Sequence, residues 1–211
     1  MTIDEMLTII EGPSACFIAY GYDSVDVPFP ISSAEYLKFA EEDLKEDSER
    51  GRVNALSNSK RSLDARIESV LIGFGFHKIA KTENWKMPRK LSFLSDLGIL
   101  TPRVLTKLNR TRNLIEHEFH CPTREQVEDF VDVVALFNES TKIYLNHLPN
   151  DAQIASDADD DEPHFDFAFH RNDAKIVLGR SGTELSAADP NYKRFVVAYA
   201  KMVRRLYECT R

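Results

Sequence analysis

Residues 104–120 read VLTKLNRTRNLIEHEFH, and whether this stretch is a helix decides the fold. Thr101 and Pro102 precede it, a capping residue followed by proline at the first helical position. Leu105, Leu108, Ile115 and Phe119 fall along one side of such a helix. Pro122 stops it, because proline lacks the amide that would continue the ladder. Thr123 with Gln126 then forms a capping box for the next helix. Val127, Phe130, Val131, Val134 and Phe137 give that helix its buried stripe, and Pro149 ends it.

Upstream, the same period continues. A long helix is expected over 50–72, where Val53, Leu56, Leu63, Ile67, Val70 and Leu71 recur at helical spacing. The glycines of GFGF at 73–76 end it. Ser33 is positioned to cap a helix over 34–46, residues 77–89 read as irregular, and 91–97 reads as a short helix closed by Gly98. Residues 33–148 therefore form the expected helical bundle. Residues 1–32 look β-like, with a strand at 15–22 (ACFIAYGY) and a proline-punctuated loop after it. Residues 149–163 are small and acidic and read as a linker. In 164–211, Phe165, Phe167 and Phe169 alternate as one arm of a hairpin turning near 172–173. A last amphipathic helix starts at Asp189–Pro190, with Tyr192, Phe195, Val196, Tyr199, Met202, Val203 and Leu206 as its seam. The expected class is mainly α: a helical bundle, a small β element from the terminal segments and an extra C-terminal helix.

Composition narrows the function. The chain has 211 residues, 43% of them hydrophobic, enough to bury a core. Its formal net charge is −7. A chain this acidic does not coat nucleic acid indiscriminately, because the phosphate term is supplied by Lys and Arg. Any RNA contact needs a local basic patch, which Arg103, Lys107, Arg110 and Arg112 supply against Glu116 and Glu118. Cys16, Cys121 and Cys209 are odd in number and far apart, which fits a reducing cytosol rather than a disulfide framework. The first residues are acidic and lack a secretory apolar region, and runs such as 70–76 are too short to span a bilayer. A cytoplasmic location and no membrane contact are expected.

Arg112, Asn113 and His117 carry the chemistry. Four residues separate Arg112 from His117, and six separate Arg110 from it. This spacing, with Asn after the arginine, resembles the R-x4-6-H signature of HEPN domains (higher eukaryotes and prokaryotes nucleotide-binding). The 49–71 run ERGRVNALSNSKRSLDARIESVL is similar in character to the long helix that precedes the motif in that family. The resemblance covers 33–148. It implies a metal-independent endoribonuclease of the toxin or phage-defence kind, working as a homodimer whose two motifs face a shared cleft. An antitoxin or other protein partner is also implied. The alternative is a noncatalytic HEPN-like interaction module, which the acidic balance motivates, or, ranked below it, a nucleotide-binding module using the same cleft.

The chemistry is sound on physical grounds. RNA carries its own nucleophile, the 2′-hydroxyl. A histidine titrating near neutrality moves the proton, an arginine holds the phosphate, and an asparagine orients either. The products would be a 2′,3′-cyclic phosphate and a 5′-hydroxyl. At about 100° per residue, Arg110, Asn113 and His117 share a helix face, while Arg112 lies about 140° from His117. The family pattern favours Arg112 as the phosphate contact and ideal geometry favours Arg110. No cofactor or metal is expected. His117, His120 and Cys121 lack further zinc ligands, and the 157–161 aspartates lack a calcium loop's glycine and glutamate. Lys60, Arg61 and Arg66 are further candidates for phosphate contacts, with salt bridges to Glu41, Glu42 or Asp43 as the plainer expectation. The cations of the last helix (Lys193, Arg194, Lys201, Arg204, Arg205) read either as an RNA or partner surface or as its wet side.

Overall fold

The computed structural model describes residues 1–99, 121–157, 162–180 and 182–209. The helical half was anticipated closely. Helix α2 spans Ser33–Lys45, and Ser32 rather than Ser33 caps it, with Glu35 closing the box. Helix α3, Glu49–Gly73, matches the long expected helix. Helix α6, Arg124–Asn146, starts with the Thr123–Gln126 box. Two differences lie between α3 and residue 99. Residues expected to be irregular form a short helix α4, His77–Thr82, and helix α5 starts early, at Met87–Asp96, with Pro88 in its first turn.

Helices α3 and α6 run parallel. Arg52 in the first turn of α3 donates to the Pro122 carbonyl (3.1 Å), Arg66 meets Asn138, and Gly73 lies against Leu145 and the Tyr144 carbonyl. Helix α2 runs antiparallel beside them. Its last turns meet the middle of α3, where Asn58 donates to Asp43 (2.8 Å), and its Ser33 meets Ser62.

The β content overturns the expected class. The fold is mixed α/β, with a five-stranded antiparallel sheet in the order β1-β2-β3-β4-β5. Strand β1 is Cys16–Tyr22, β2 Pro149–Ala155, β3 His164–His170, β4 Lys175–Leu178 and β5 Thr183–Ser186. Strand β2 occupies the first half of the stretch read as an acidic linker. Its polar residues mislead: Asp151 is exposed and Asn150 donates to Asp23 (2.6 Å), while Ala152 and Ile154 are fully buried on the inner face. Ile154 sits between Phe17 of β1 and Phe165 of β3, and Ala152 pairs with Phe167. Two small apolar residues suffice because the neighbouring strands supply the aromatic bulk.

Helix α1, Ile3–Glu11, was also unanticipated, in a segment read as β-like. Thr2 and Glu5 form its capping box, and Met6, Leu7, Ile9 and Ile10 are its buried face. Helix α7, Pro190–Cys209, lies with α1 over the inner face of the sheet. Tyr199 packs on Phe167 with ring centroids 4.4 Å apart, and its hydroxyl donates to the Pro149 carbonyl (2.7 Å). Phe74, just past α3, touches both Tyr144 of α6 and Phe169 of β3. One apolar core therefore runs from the α2–α3–α6 layer into the sheet and α7. No helix among the described residues is long and apolar enough to cross a membrane.

Candidate functional site

Arg110, Arg112, Asn113 and His117, the residues the sequence singles out, all lie in 100–120 and outside the described residues. Their mutual geometry is therefore not part of the description, but their flanks are. Gly98 lies beside Lys201 and Arg204 of α7. Cys121, where the description resumes, has its sulfur 3.9 Å from Arg52 in the first turn of α3. The described residues on either side of the motif thus lie beside α7 and at the start of α3.

Helix α3 carries a charged side built at four-residue steps, Lys60, Asp64 and Glu68. Glu68 is the hub of a half-buried cluster. It meets His77 Nδ1 at 2.9 Å and also pairs with Lys90 of α5. The cluster ties α3, α4 and α5 together around a carboxylate, and Nδ1 of His77 is the nitrogen engaged.

A second polar centre is buried where α2, α3 and α6 meet. Asn138 Oδ1 accepts from Ser33 Oγ (2.8 Å) and from Arg66 Nε (3.1 Å). Asn138 Nδ2 donates to Ser62 Oγ (3.0 Å), and Ser62 donates to the Ser33 carbonyl (2.7 Å). Ser33 and Ser62 are 7% and 0% exposed, Asn138 3% and Arg66 9%. Of the carboxylates expected to pair with the α3 cations, Asp43 accepts from Asn58 and Glu42 meets Lys38, and Arg61 donates to Asn58. Burial pushes the Arg66 guanidinium below its ordinary value, and the charge of Glu139 only partly opposes that. Sequence reasoning gave Ser33 only a capping role and passed over Ser62 and Asn138. The available signal was polar residues inside apolar helical stripes, such as Asn138 beside Val134 and Phe137.

The cations of α7 are largely committed to its neighbours. Arg194 makes two 2.9 Å bonds to Glu11, Lys193 meets Asp96 at 2.8 Å, and Arg205 donates to the carbonyls of Gly12 and Ala15 beyond the end of α1. These contacts hold α1 and α5 onto α7, which favours the wet-side reading over an open basic surface. A cleft of about 880 Å³ lies between α4–α5 and the start of α7. Its chief aromatic, Trp85, donates to Glu83 and lies under Arg89, whose guanidinium is 4.4 Å from the ring centre. Arg89 also donates to Glu83, and Lys193 meets Asp96 on the same lining.

Comparison of the chain with family models, curated proteins and solved structures returned no match.

Proposed function

We propose that the protein is a metal-independent endoribonuclease of the HEPN kind. One observation carries the reading: four residues, the first of them Asn113, separate Arg112 from His117, with Arg110 in step with Asn113 and His117 on a helical wheel. The two long helices that flank this sequence, α3 before it and α6 after it, support the reading. His117 is assigned the proton transfer, Arg112 or Arg110 the phosphate, and Asn113 the orientation of one or the other. A single Arg–His pair is a sparse active site, so the working unit is proposed to be a homodimer that brings two motifs to one RNA.

The test is incubation of the full chain with single-stranded RNA in excess EDTA, with analysis of the product ends. Cleavage that survives chelation, leaves 2′,3′-cyclic phosphate ends and falls about 100-fold or more in His117→Ala is the expected result. Loss of activity with EDTA, or a His117→Ala variant as active as the parent, overturns the proposal. RNA that binds but stays intact points instead to a noncatalytic module.

A further inference from the structure

The two edges of the sheet are built differently. Strand β5 is four residues long, and its Glu184 meets Lys175 of β4. A short edge that carries charge resists pairing with another strand. Strand β1 has seven residues, none of them charged and none proline. No backbone hydrogen bond among the described residues joins it to any element but β2. Its remaining amides and carbonyls form an open row along the sheet.

The side chains on this edge are uncovered as well. Ile18 lies opposite Gln153, between the buried Ala152 and Ile154, so it stands on the outer face, away from α1 and α7. Tyr20 follows on the same face, and each of the two is 61% exposed. The β1–β2 register shifts between Ala19 and Gly21, which leaves Tyr20 with no residue opposite it on β2. On the inner face Phe17 is only partly buried, whereas Ile154 and Phe165 in the same row are buried. The core is unfinished at this edge.

An open strand is covered by another strand, and the sequence of β1 matches its own reverse. Two copies of a strand related by a two-fold axis run antiparallel. With the axis at Ala19, Ile18 faces the partner's Tyr20, and Phe17 faces the partner's Gly21. The first is a β-branched–aromatic pair, and the second lays a ring over a residue without a side chain. No like charges meet: the first acid past the strand, Asp23, falls opposite the partner's Ala15. The exposed side chains of Ile18, Tyr20 and Tyr22 with the free backbone edge offer on the order of 500 Å² per protomer, so a symmetric pair reaches the roughly 1,000 Å² that a specific interface needs.

We propose that β1 is a homodimer interface, at which two copies pair antiparallel about a two-fold axis at Ala19 and join their sheets into one. The interface uses none of residues 100–120, and it stands whether or not the chain cleaves RNA.

Light scattering of the full chain over a micromolar concentration series tests it. The expected result is a concentration-dependent dimer in the parent and a monomer in Tyr20→Lys, with the same far-ultraviolet spectrum in both. Cysteine pairing tests the register, in a chain whose three native cysteines are replaced by serine. Residues opposite one another on antiparallel strands lie within disulfide reach, and residues offset by two do not. Under mild oxidation a mixture of Ile18→Cys and Tyr20→Cys chains should cross-link, and neither variant should cross-link alone. Should Tyr20→Lys fail to fold, the cross-link decides. A parent that stays monomeric overturns the proposal and leaves the edge to a strand of another protein. A dimer that persists in Tyr20→Lys, or a mixture that does not cross-link, overturns it too and moves the contact elsewhere. RNA left intact by a parent that dimerises in this way leaves the interface standing.

Discussion

Gly75 shows how one residue joins distant parts of the chain. It holds φ at +74°, in the left-handed region, where the chain turns out of α3. A β-carbon there would lie 2.5 Å from the Tyr192 hydroxyl and 2.8 Å from the Ala174 β-carbon. The Tyr192 hydroxyl cannot easily retreat, since it donates to the Phe74 carbonyl (3.1 Å) in a fully buried setting. Gly75→Ala should therefore cost about 2–4 kcal/mol, read as a lowered urea midpoint, from left-handed strain and overpacking together. That GFGF ends a helix was legible from the residues alone, because the reason is local. That Gly75 must also clear a tyrosine over a hundred positions away was not. Arg66 failed to read for the same reason: Glu41, Glu42 and Asp43 looked like partners, and tertiary packing set Arg66 against Asn138 and Asp43 against Asn58 instead.

Among the elements, capping residues were the reliable signals. Thr123–Gln126 and Asp189–Pro190 marked the starts of α6 and α7 because a cap is settled within four residues. Helix α1 carried the same signal in Thr2 and Glu5, with Met6, Leu7, Ile9 and Ile10 on one face, but its nine residues are short enough to be overlooked beside the strand that follows. Strand β2 was illegible for a different reason: its burial is conferred by β1 and β3, and its own residues hardly announce it. The α1–α7 contact makes a pH prediction. The Arg194 hydrogen bond, then its charge, holds the Glu11 carboxyl below the ordinary 4.5. A carboxyl whose native value is depressed adds stability above its unfolded value and loses it as pH falls through the native one. Stability measured by denaturant between neutral pH and pH 3 should thus decline less steeply in Glu11→Gln than in the parent. Equal slopes would show that this half-exposed pair contributes nothing measurable, as many surface pairs do.

At the scale of the molecule, one core links both layers, so they should unfold together. Trp85, the single tryptophan, lies half-buried against Phe76 and Phe93 at the α4–α5 corner and reports on that region by itself. Its fluorescence midpoint in urea should coincide with the far-ultraviolet ellipticity midpoint, and separated midpoints would reveal a corner that opens alone. The way α1 and β1 close onto later elements has a further meaning during translation. Arg194 and Glu11 stand 183 residues apart in sequence. At about 5–20 residues per second, the apolar face of α1 waits on the order of ten seconds or more for α7 to be made. Throughout that interval Met6, Leu7, Ile9 and Ile10 lack the α7 surface they finally cover, which makes this stretch of the nascent chain a natural client for holding chaperones at the ribosome exit.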